Sequence, residues 1–453
     1  MELLIHNAHV IAVDAQWNVW SKGAVAVRDG RIIDVGPEEE IADACRGFER
    51  LDAGGKLVLP GFVNSHSHTV LAGLRGMTED LGRRSLYDVY GPFEVLMTAA
   101  DKALMAMLGT VETLKSGTTC LVENYFEIEH LVGFLDETGI RAVVSEMIRD
   151  VDWLALKERR YRYDAAVGEQ NLQRAVDLIE KWHGRDDNRI TCQLSPQAPD
   201  LCSAGLLRQI RDAAEKFDVR VHTHLCQNPM EVEQTFRREG KTPVHFLDSL
   251  GLVSPRVIGA HCFLADTTEV NLLGRSGFNV AHCPGIAARR GYAPPVWQLK
   301  QAGANVALGS DNMTGDMMEA MRLALMIARI KYGEDTAMDS AACLKAATIN
   351  GARAVGLADE IGSLERGKRA DIIMVDLQKA HLVPVIDPVV DLVHYGLAAD
   401  VDTVMVNGRL LMAQRRLKTI DEAQLLTEAQ RAGERLWAEF RRRYKLPAIG
   451  GGR

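Results

Sequence analysis

Leu57-Val58-Leu59-Pro60-Gly61-Phe62-Val63-Asn64-Ser65-His66-Ser67-His68 is the stretch whose reading decides the fold class. Leu57-Val58-Leu59 reads as a buried strand, Pro60-Gly61 breaks it, and Phe62-Val63 starts a second apolar strand that ends on two imidazoles. Histidines at spacing two share one face of a strand, and packing alone also produces such pairs. Their place at the end of a strand, where loops and ligands meet, points instead to metal binding.

Outward from this stretch, the middle of the chain alternates strand-like and helix-like segments. Strand segments fall at 61–66, 118–123, 140–146, 190–195, 219–224, 257–261, 278–282 and 305–310, and eight βα units make a (β/α)8 TIM barrel. The two ends read as β structure. Asp29-Gly30 lies between Ala24-Val25-Ala26-Val27-Arg28 and Arg31-Ile32-Ile33-Asp34-Val35, and Asn407-Gly408 lies between Thr403-Val404-Met405-Val406 and Arg409-Leu410-Leu411-Met412. Both are type I′ hairpin signals. These features predict an α/β chain in which residues 1–58 and 359–453 form a small β-sandwich domain around a barrel at 59–358. Thr98 with Asp101 predicts a capped helix, Ser203 and Asp339 open two more, and a long helix runs from Ile420 to Tyr444. The glycine-rich tail at 450–452 is expected to be mobile.

At 453 residues, 47% hydrophobic and 25% charged, the chain has the composition of a soluble globular protein with room for both units. A formal net charge of -8 argues against nucleic-acid binding through a basic surface, and Arg441-Arg442-Arg443 reads as a solvated helix face. The 8 cysteines show no CxxC pair, which predicts reduced thiols in a cytoplasmic protein. Met1-Glu2-Leu3-Leu4-Ile5-His6 has an early acid and no basic segment, and no run of about 20 apolar residues occurs, so no membrane contact is expected.

In a TIM barrel, functional groups come from the C-terminal ends of the strands. His66 and His68 end the first strand, His224 the fifth and His261 the sixth, while Asp311 follows the eighth. Three imidazoles and one carboxylate (His66, His68, His224, Asp311) suit one divalent ion, Zn2+ first, with Fe2+, Mn2+ or Co2+ also compatible. A position remains for water, whose pKa the metal lowers toward neutrality. His222 and His224 share a face of their strand; His224, nearer its C-terminal end, is the ligand, and His222 reads as a hydrogen-bonded core histidine. Asp311 combines ligation with proton acceptance, because a carboxylate offers a second oxygen. His261 reads as a general acid/base or water-orienting group, against the plainer alternative of a satisfied strand-end histidine. No lysine ends strand four, Ile190-Thr191-Cys192-Gln193-Leu194-Ser195, so a bridged two-metal centre is not expected.

With Leu74-Arg75-Gly76, Lys115-Ser116-Gly117-Thr118-Thr119, Gly259-Ala260-His261-Cys262, His282-Cys283-Pro284, Gly309-Ser310-Asp311 and the segments 346–353 and 362–371, the chain resembles the amidohydrolase superfamily. The resemblance is to its mononuclear aminohydrolase branch, which includes cytosine, guanine and S-adenosylhomocysteine deaminases and triazine hydrolases, and it spans nearly the whole sequence. It implies that His66, His68, His224 and Asp311 hold one metal, that His261 assists proton transfer, that His282 faces a small-molecule substrate, and that the chain forms a homodimer or larger homo-oligomer.

Two departures from that pattern concern the proton route and the substrate. Gln227 stands three residues after the strand-five ligand, where the deaminases place a glutamate that protonates the ring nitrogen, and glutamine shuttles no proton. Glu231, Glu123 and Glu146 remain as replacement acids. Gln197 stands where purine-nucleoside deaminases carry a histidine, which disfavours adenosine-type substrates. Both glutamines suit an amide, urea or lactam edge, since each offers donor and acceptor. After His282-Cys283-Pro284 the usual Ser-Asn pair gives way to Gly285-Ile286-Ala287-Ala288-Arg289-Arg290-Gly291, where Arg289 and Arg290 are either loop charges or contacts to an anionic or carbonyl-rich substrate. The candidate substrate contacts are therefore Gln227, Gln197, His282, Glu123 and Arg289.

The leading reading is a metal-dependent hydrolase in which metal-bound hydroxide attacks an sp2 carbon and deaminates an amino-substituted N-heterocycle of the pyrimidine, purine, pterin or triazine kind. A second reading keeps that water but cleaves an exocyclic amide, carbamate, urea or carbon-halogen bond, which Gln227 permits because no ring nitrogen has to be protonated. A third, a non-catalytic scaffold, runs against the intact ligand set.

Overall fold

Hydrogen bonding sorts the strands into two systems that match the two kinds of periodicity in the sequence. The computed structural model describes residues 2–79 and 89–444, so the glycine-rich tail lies outside the described residues. Strands β1 (Glu2–Ile11), β2 (Val19–Arg28), β3 (Arg31–Pro37), β4 (Glu49–Asp52) and β5 (Leu57–Pro60) come first. The barrel strands follow as β6 (Phe62–Ser67), β7 (Thr118–Tyr125), β8 (Arg141–Ile148), β9 (Ile190–Cys192) with β10 (Ser195–Pro196), β11 (Val221–Leu225), β12 (Val257–His261), β13 (Asn279–His282) and β14 (Asn305–Leu308). The chain returns through β15 (Ile372–Val375), β16 (Val401–Val406), β17 (Arg409–Ala413) and β18 (Arg416–Leu417), and the helix Glu422–Tyr444 comes last.

Both chain ends join in one nine-stranded sheet of order β18-β17-β16-β15-β5-β1-β2-β3, with β4 paired to β1. The expected hairpins are present. Asp29 and Gly30 take φ of 48° and 79°, and Asn407 and Gly408 take 48° and 76°, the doubly left-handed backbone of a type I′ turn. The hydrogen bonds of this sheet run as one continuous path through strands from both chain ends.

The barrel strands run parallel in two arcs, β10-β8-β7-β6, where β9 also pairs with β8, and β11-β12-β13-β14. Backbone bridges join the arcs at Leu194 with Val221 and at Ser67 with Asp311, which closes the TIM barrel. Side chains of the diagnostic stretch stitch the second seam. Asn64 Nδ2 donates to Ser310 Oγ at 2.7 Å, Asn64 Oδ1 accepts from Ser310 N at 2.9 Å, and Ser65 Oγ donates to Leu308 O at 2.7 Å. At Gly309 the strands approach so closely that a Cβ would lie 2.8 Å from His66 Cβ and 2.9 Å from its carbonyl oxygen, so only glycine fits.

The predicted helix starts are also in place: Thr98 and Asp101 form a reciprocal capping box, and Ser203 and Asp339 accept from Leu206 N and Ala342 N. All 8 cysteines are buried free thiols. Among the described residues no helix is long and apolar enough to cross a membrane.

A buried ion pair ties barrel to sheet. Arg141, at the start of β8, donates from Nε and Nη2 to the two oxygens of Asp371 at 2.8 and 3.1 Å, and Asp371 also accepts from Asn407 N at 2.9 Å. Removing one partner of such a pair strands the other in a low-dielectric interior and costs about 3–5 kcal/mol. Arg141→Met should therefore lower the urea midpoint markedly, while Arg141→Met/Asp371→Leu should recover most of the loss; equal loss in both variants would show that the pair itself is not what matters.

Candidate metal centre and its pocket

Five side chains from four strand ends converge on one point. His68 Nε2 lies 3.2 Å from His224 Nε2, Asp311 Oδ1 lies 3.6 Å from His68 Nε2 and 3.8 Å from His66 Nε2, and Asp311 Oδ2 lies 3.8 Å from His261 Nε2. Two overlapping ligand sets result, His66-His68-His224 and His66-His261-Asp311, each with its donor atoms within 4.8 Å of one another. Donors bonded to one Zn2+ at 2.0–2.1 Å lie about 3–3.5 Å apart in a four- or five-coordinate shell, the latter leaving a position for water beside four protein ligands, so the observed separations fit a single small ion.

The hydrogen bonds around the cluster leave the inward nitrogens as lone pairs. His68 Nδ1 donates to the Asn124 carbonyl and His224 Nδ1 to the Gln197 carbonyl, each at 2.6 Å. Both Nε2 atoms must then carry lone pairs and face each other with no proton between them. His66 Nδ1 lies 3.0 Å from His222 Nε2; when it donates there, His66 Nε2 also keeps its lone pair, and that atom is buried without a hydrogen-bond partner. A cation satisfies all of these atoms together. His222 thus supports a ligand from behind: with Nε2 accepting from His66 its Nδ1 carries the proton, and the Gln193 side-chain amide, 3.0 Å away, completes the chain by turning its oxygen to accept that proton.

Electrostatics favour the same state. Burial, and for three of the rings also repulsion from neighbouring histidines, holds His68 and His224 down to about 4 and His66 and His261 well below the usual value. All four imidazoles are therefore neutral at pH 7, as ligation requires. Burial raises the Asp311 carboxyl, against the opposing pull of Arg290 and His224. Cys226, His261, Asp311 and Met313 all adopt left-handed φ, between 50° and 81°, the local strain that collects at functional sites.

The pocket above the cluster is lined by Gln197, Gln227, Arg290, Tyr90, Glu94 and Asn312 together with the inner faces of His68, His224, His261 and Asp311. Gln197 and Gln227 both line this pocket, and Gln197 Oε1 accepts from Arg149 Nη1 at 3.1 Å.

Three other expectations need correction. Glu123 is not among the pocket residues. Its carboxylate accepts from Thr69 N at 2.9 and 3.1 Å and from Ser67 Oγ at 2.9 Å, so it clamps the turn after His68, because the β6 and β7 register sets Glu123 beside Ser67. Burial pushes it up to about 8 against those bonds. Arg289 is exposed and Arg290 turns to the pocket instead: the helix Pro284–Arg289 advances about 100° per residue, so neighbouring side chains diverge. His282 is buried at the end of β13 and is not among the pocket residues; burial holds it down to about 3, and neither ring nitrogen has a hydrogen-bond partner.

Of the replacement acids, Glu231 is turned to the backbone N–H groups of Cys226 and Gln227, at 2.7 and 2.8 Å, and Glu146 to Ile128 N and Arg174. The acid that does line the pocket besides Asp311 is Glu94, which sequence reasoning missed because no motif surrounds it. Burial raises it to about 7, against Arg149.

The arrangement is that of a known hydrolase family: the amidohydrolase family model matches residues 57–411. The chain belongs to the amidohydrolase family. It is 33% identical over 441 residues to a 5-methylthioadenosine/S-adenosylhomocysteine deaminase of Pelotomaculum thermopropionicum, covering 96% of this chain and 98% of that one. It is 32% identical to a 5'-deoxyadenosine deaminase of Methanosarcina mazei, covering 96% and 99%. Among solved structures, a zinc-bound adenosine deaminase from Xanthomonas campestris superposes with a TM-score of 0.88 at 31% identity, covering 96% and 99%. A zinc-bound atrazine chlorohydrolase from Arthrobacter aurescens shares the fold at 22% identity and a TM-score of 0.85, covering 95% and 100%.

For this amidohydrolase, His224→Ala and Asp311→Ala should each yield protein that retains no zinc after gel filtration. His222→Ala, which removes only the support behind His66, should weaken zinc about 10- to 100-fold in a chelator competition. Full zinc retention by either ligand variant would remove that residue from the metal site.

Proposed function

We propose that this amidohydrolase is a mononuclear aminohydrolase, with Zn2+ on His66, His68, His224 and Asp311, that hydrolytically releases ammonia from an amino-substituted N-heterocycle. The observation that carries the reading is the convergence of neutral imidazole lone pairs and one carboxylate beneath an amide-lined pocket. The deaminase names of full-length relatives support it. A bound divalent ion supplies Lewis acidity and brings water close to ionisation at neutral pH.

The protein's own groups manage the protons and the substrate. Asp311 turns Oδ1 toward His66 and His68 and Oδ2 toward His261, so one oxygen serves ligation while the other can hold a proton. His261 Nε2 at 3.8 Å from Oδ2 is placed to orient water and share that proton. Gln197 and Gln227 present amide donors and acceptors to the edge of a heterocycle.

Gln227 also sustains the second reading, cleavage of an exocyclic amide, carbamate, urea or carbon-halogen bond, because such substrates need no protonated ring nitrogen. Product identity separates the two. Zinc-loaded protein should release ammonia from heterocyclic amines and leave amide, carbamate and halide panels intact; the opposite pattern would overturn deamination. His261→Asn should keep its zinc and lose roughly 100- to 10,000-fold in kcat/KM, the usual span for a general acid-base group. A variant as active as the parent would place the proton transfer elsewhere.

A further inference from the structure

Gln227, at the position where the resembled deaminases carry a glutamate, and Arg290 line one pocket. Resting on the aminohydrolase reading, we propose that Arg290 is a specificity-determining residue that selects heterocycles bearing an anionic or lactam oxygen conjugated to the carbon under attack.

Geometry is the first support. Arg290 directly follows the helix Pro284–Arg289 and lines the same cavity as His68, Gln227, His261 and Asp311, whereas Arg289 faces solvent. Tyr90 lines the same pocket wall as Arg290. Half-buried, the guanidinium shares the pocket with the metal-site residues His68, His224 and Asp311.

Charge balance is the second. Among the described lining residues Arg290 is the one cation apart from the neutral imidazoles, and the acids are Asp311 and Glu94. Asp311 belongs to the metal, and Glu94 interacts with Arg149 on its other side. With a divalent ion bound, positive charge is in excess around the cavity, and a substrate oxygen carrying negative charge restores the balance. A planar guanidinium is suited to such an oxygen because it offers paired N–H donors.

Reaction chemistry is the third. As water's oxygen bonds to the ring carbon it gives one proton to Asp311, and the displaced π pair moves onto the ring nitrogen. A glutamate at position 227 would protonate that nitrogen, and Gln227 does not. With a lactam oxygen in conjugation, the charge spreads onto it and is held by Arg290; a ring carboxylate, already anionic, takes none of the pair and gains only binding from the guanidinium. The pair then re-forms the ring double bond as the bond from carbon to the amine breaks. Asp311 returns its proton to the amine, which leaves as ammonia, and the ring keeps the new hydroxyl, which tautomerises to the oxo form in solution. No ring-nitrogen acid is needed.

Three matched probes test this: 2-aminopyrimidine, isocytosine, which adds a lactam oxygen, and 2-aminopyrimidine-4-carboxylate. Calorimetry on the zinc-loaded protein should show isocytosine or the carboxylate binding at least about tenfold more tightly than 2-aminopyrimidine, and the arm that wins identifies the kind of oxygen. Arg290→Met should weaken the favoured probe roughly 10- to 100-fold, as loss of a charge-assisted contact does, with 2-aminopyrimidine changed less than about threefold. Zinc content and melting temperature should stay unchanged, and Arg290→Lys should recover part of the affinity. Equal weakening of all three probes, loss of zinc in Arg290→Met, or no preference in the parent protein would overturn the proposal. Ammonia release is measured alongside: selective, Arg290-dependent binding without ammonia would refute the aminohydrolase reading and leave Arg290 as the selector.

Discussion

Closing the barrel and building the metal centre are one event in this fold. Asp311 N donates to the His66 carbonyl and His68 N donates to the Asp311 carbonyl, each at 2.9 Å. These two backbone bonds form the seam between the last strand and the first, and they bring a carboxylate from one end of the barrel sequence against imidazoles from the other. Gly309 permits the approach, and Asn64 and Ser65 lock it with side-chain bonds to Ser310 and Leu308. The motif Asn-Ser-His-Ser-His is therefore half structural, its Asn and first Ser sewing the barrel while its histidines face the ion.

A second layer makes that centre exacting. Each first-layer imidazole spends its outward nitrogen on a fixed partner: Asn124 O for His68, Gln197 O for His224, His222 for His66. Holding both rings by carbonyls sets their tautomers, and burial keeps them uncharged. The cost is a set of buried lone pairs with nothing to accept, about 1–3 kcal/mol for each unsatisfied atom. Left-handed backbone at His261 and Asp311 adds strain at the same place.

Much of this was legible in the sequence because strands and their ends are local signals. Segments read at 118–123 and 257–261 correspond to Thr118–Tyr125 and Val257–His261, and the strand-end histidines followed from them. What escaped depended on rotation or on distance along the chain. Arg289 and Arg290 are neighbours in sequence, yet a turn of about 100° at the end of a short helix sends one to solvent and the other to the pocket. Glu123 has the look of a catalytic acid, but strand register sets it beside Ser67, where it anchors a turn. Glu94 reaches the pocket from a short helix, Gly91–Glu94, outside the barrel strands, and nothing in its local pattern signals that.

The seam and the ion must therefore stabilise each other. An ion that binds the assembled ligands and not the open chain adds its binding free energy to the closed barrel, and it does so at the bonds between His66, His68 and Asp311 that complete the cylinder. The same ion relieves the facing lone pairs of His68 and His224, only 3.2 Å apart. Without it the barrel would close against local repulsion, with the Asn64 and Ser65 side-chain bonds and the surrounding core holding the seam. Pre-organisation of this kind leaves the ligands little to rearrange, so the positioning that the seam imposes on His66, His68 and Asp311 adds to affinity for a metal.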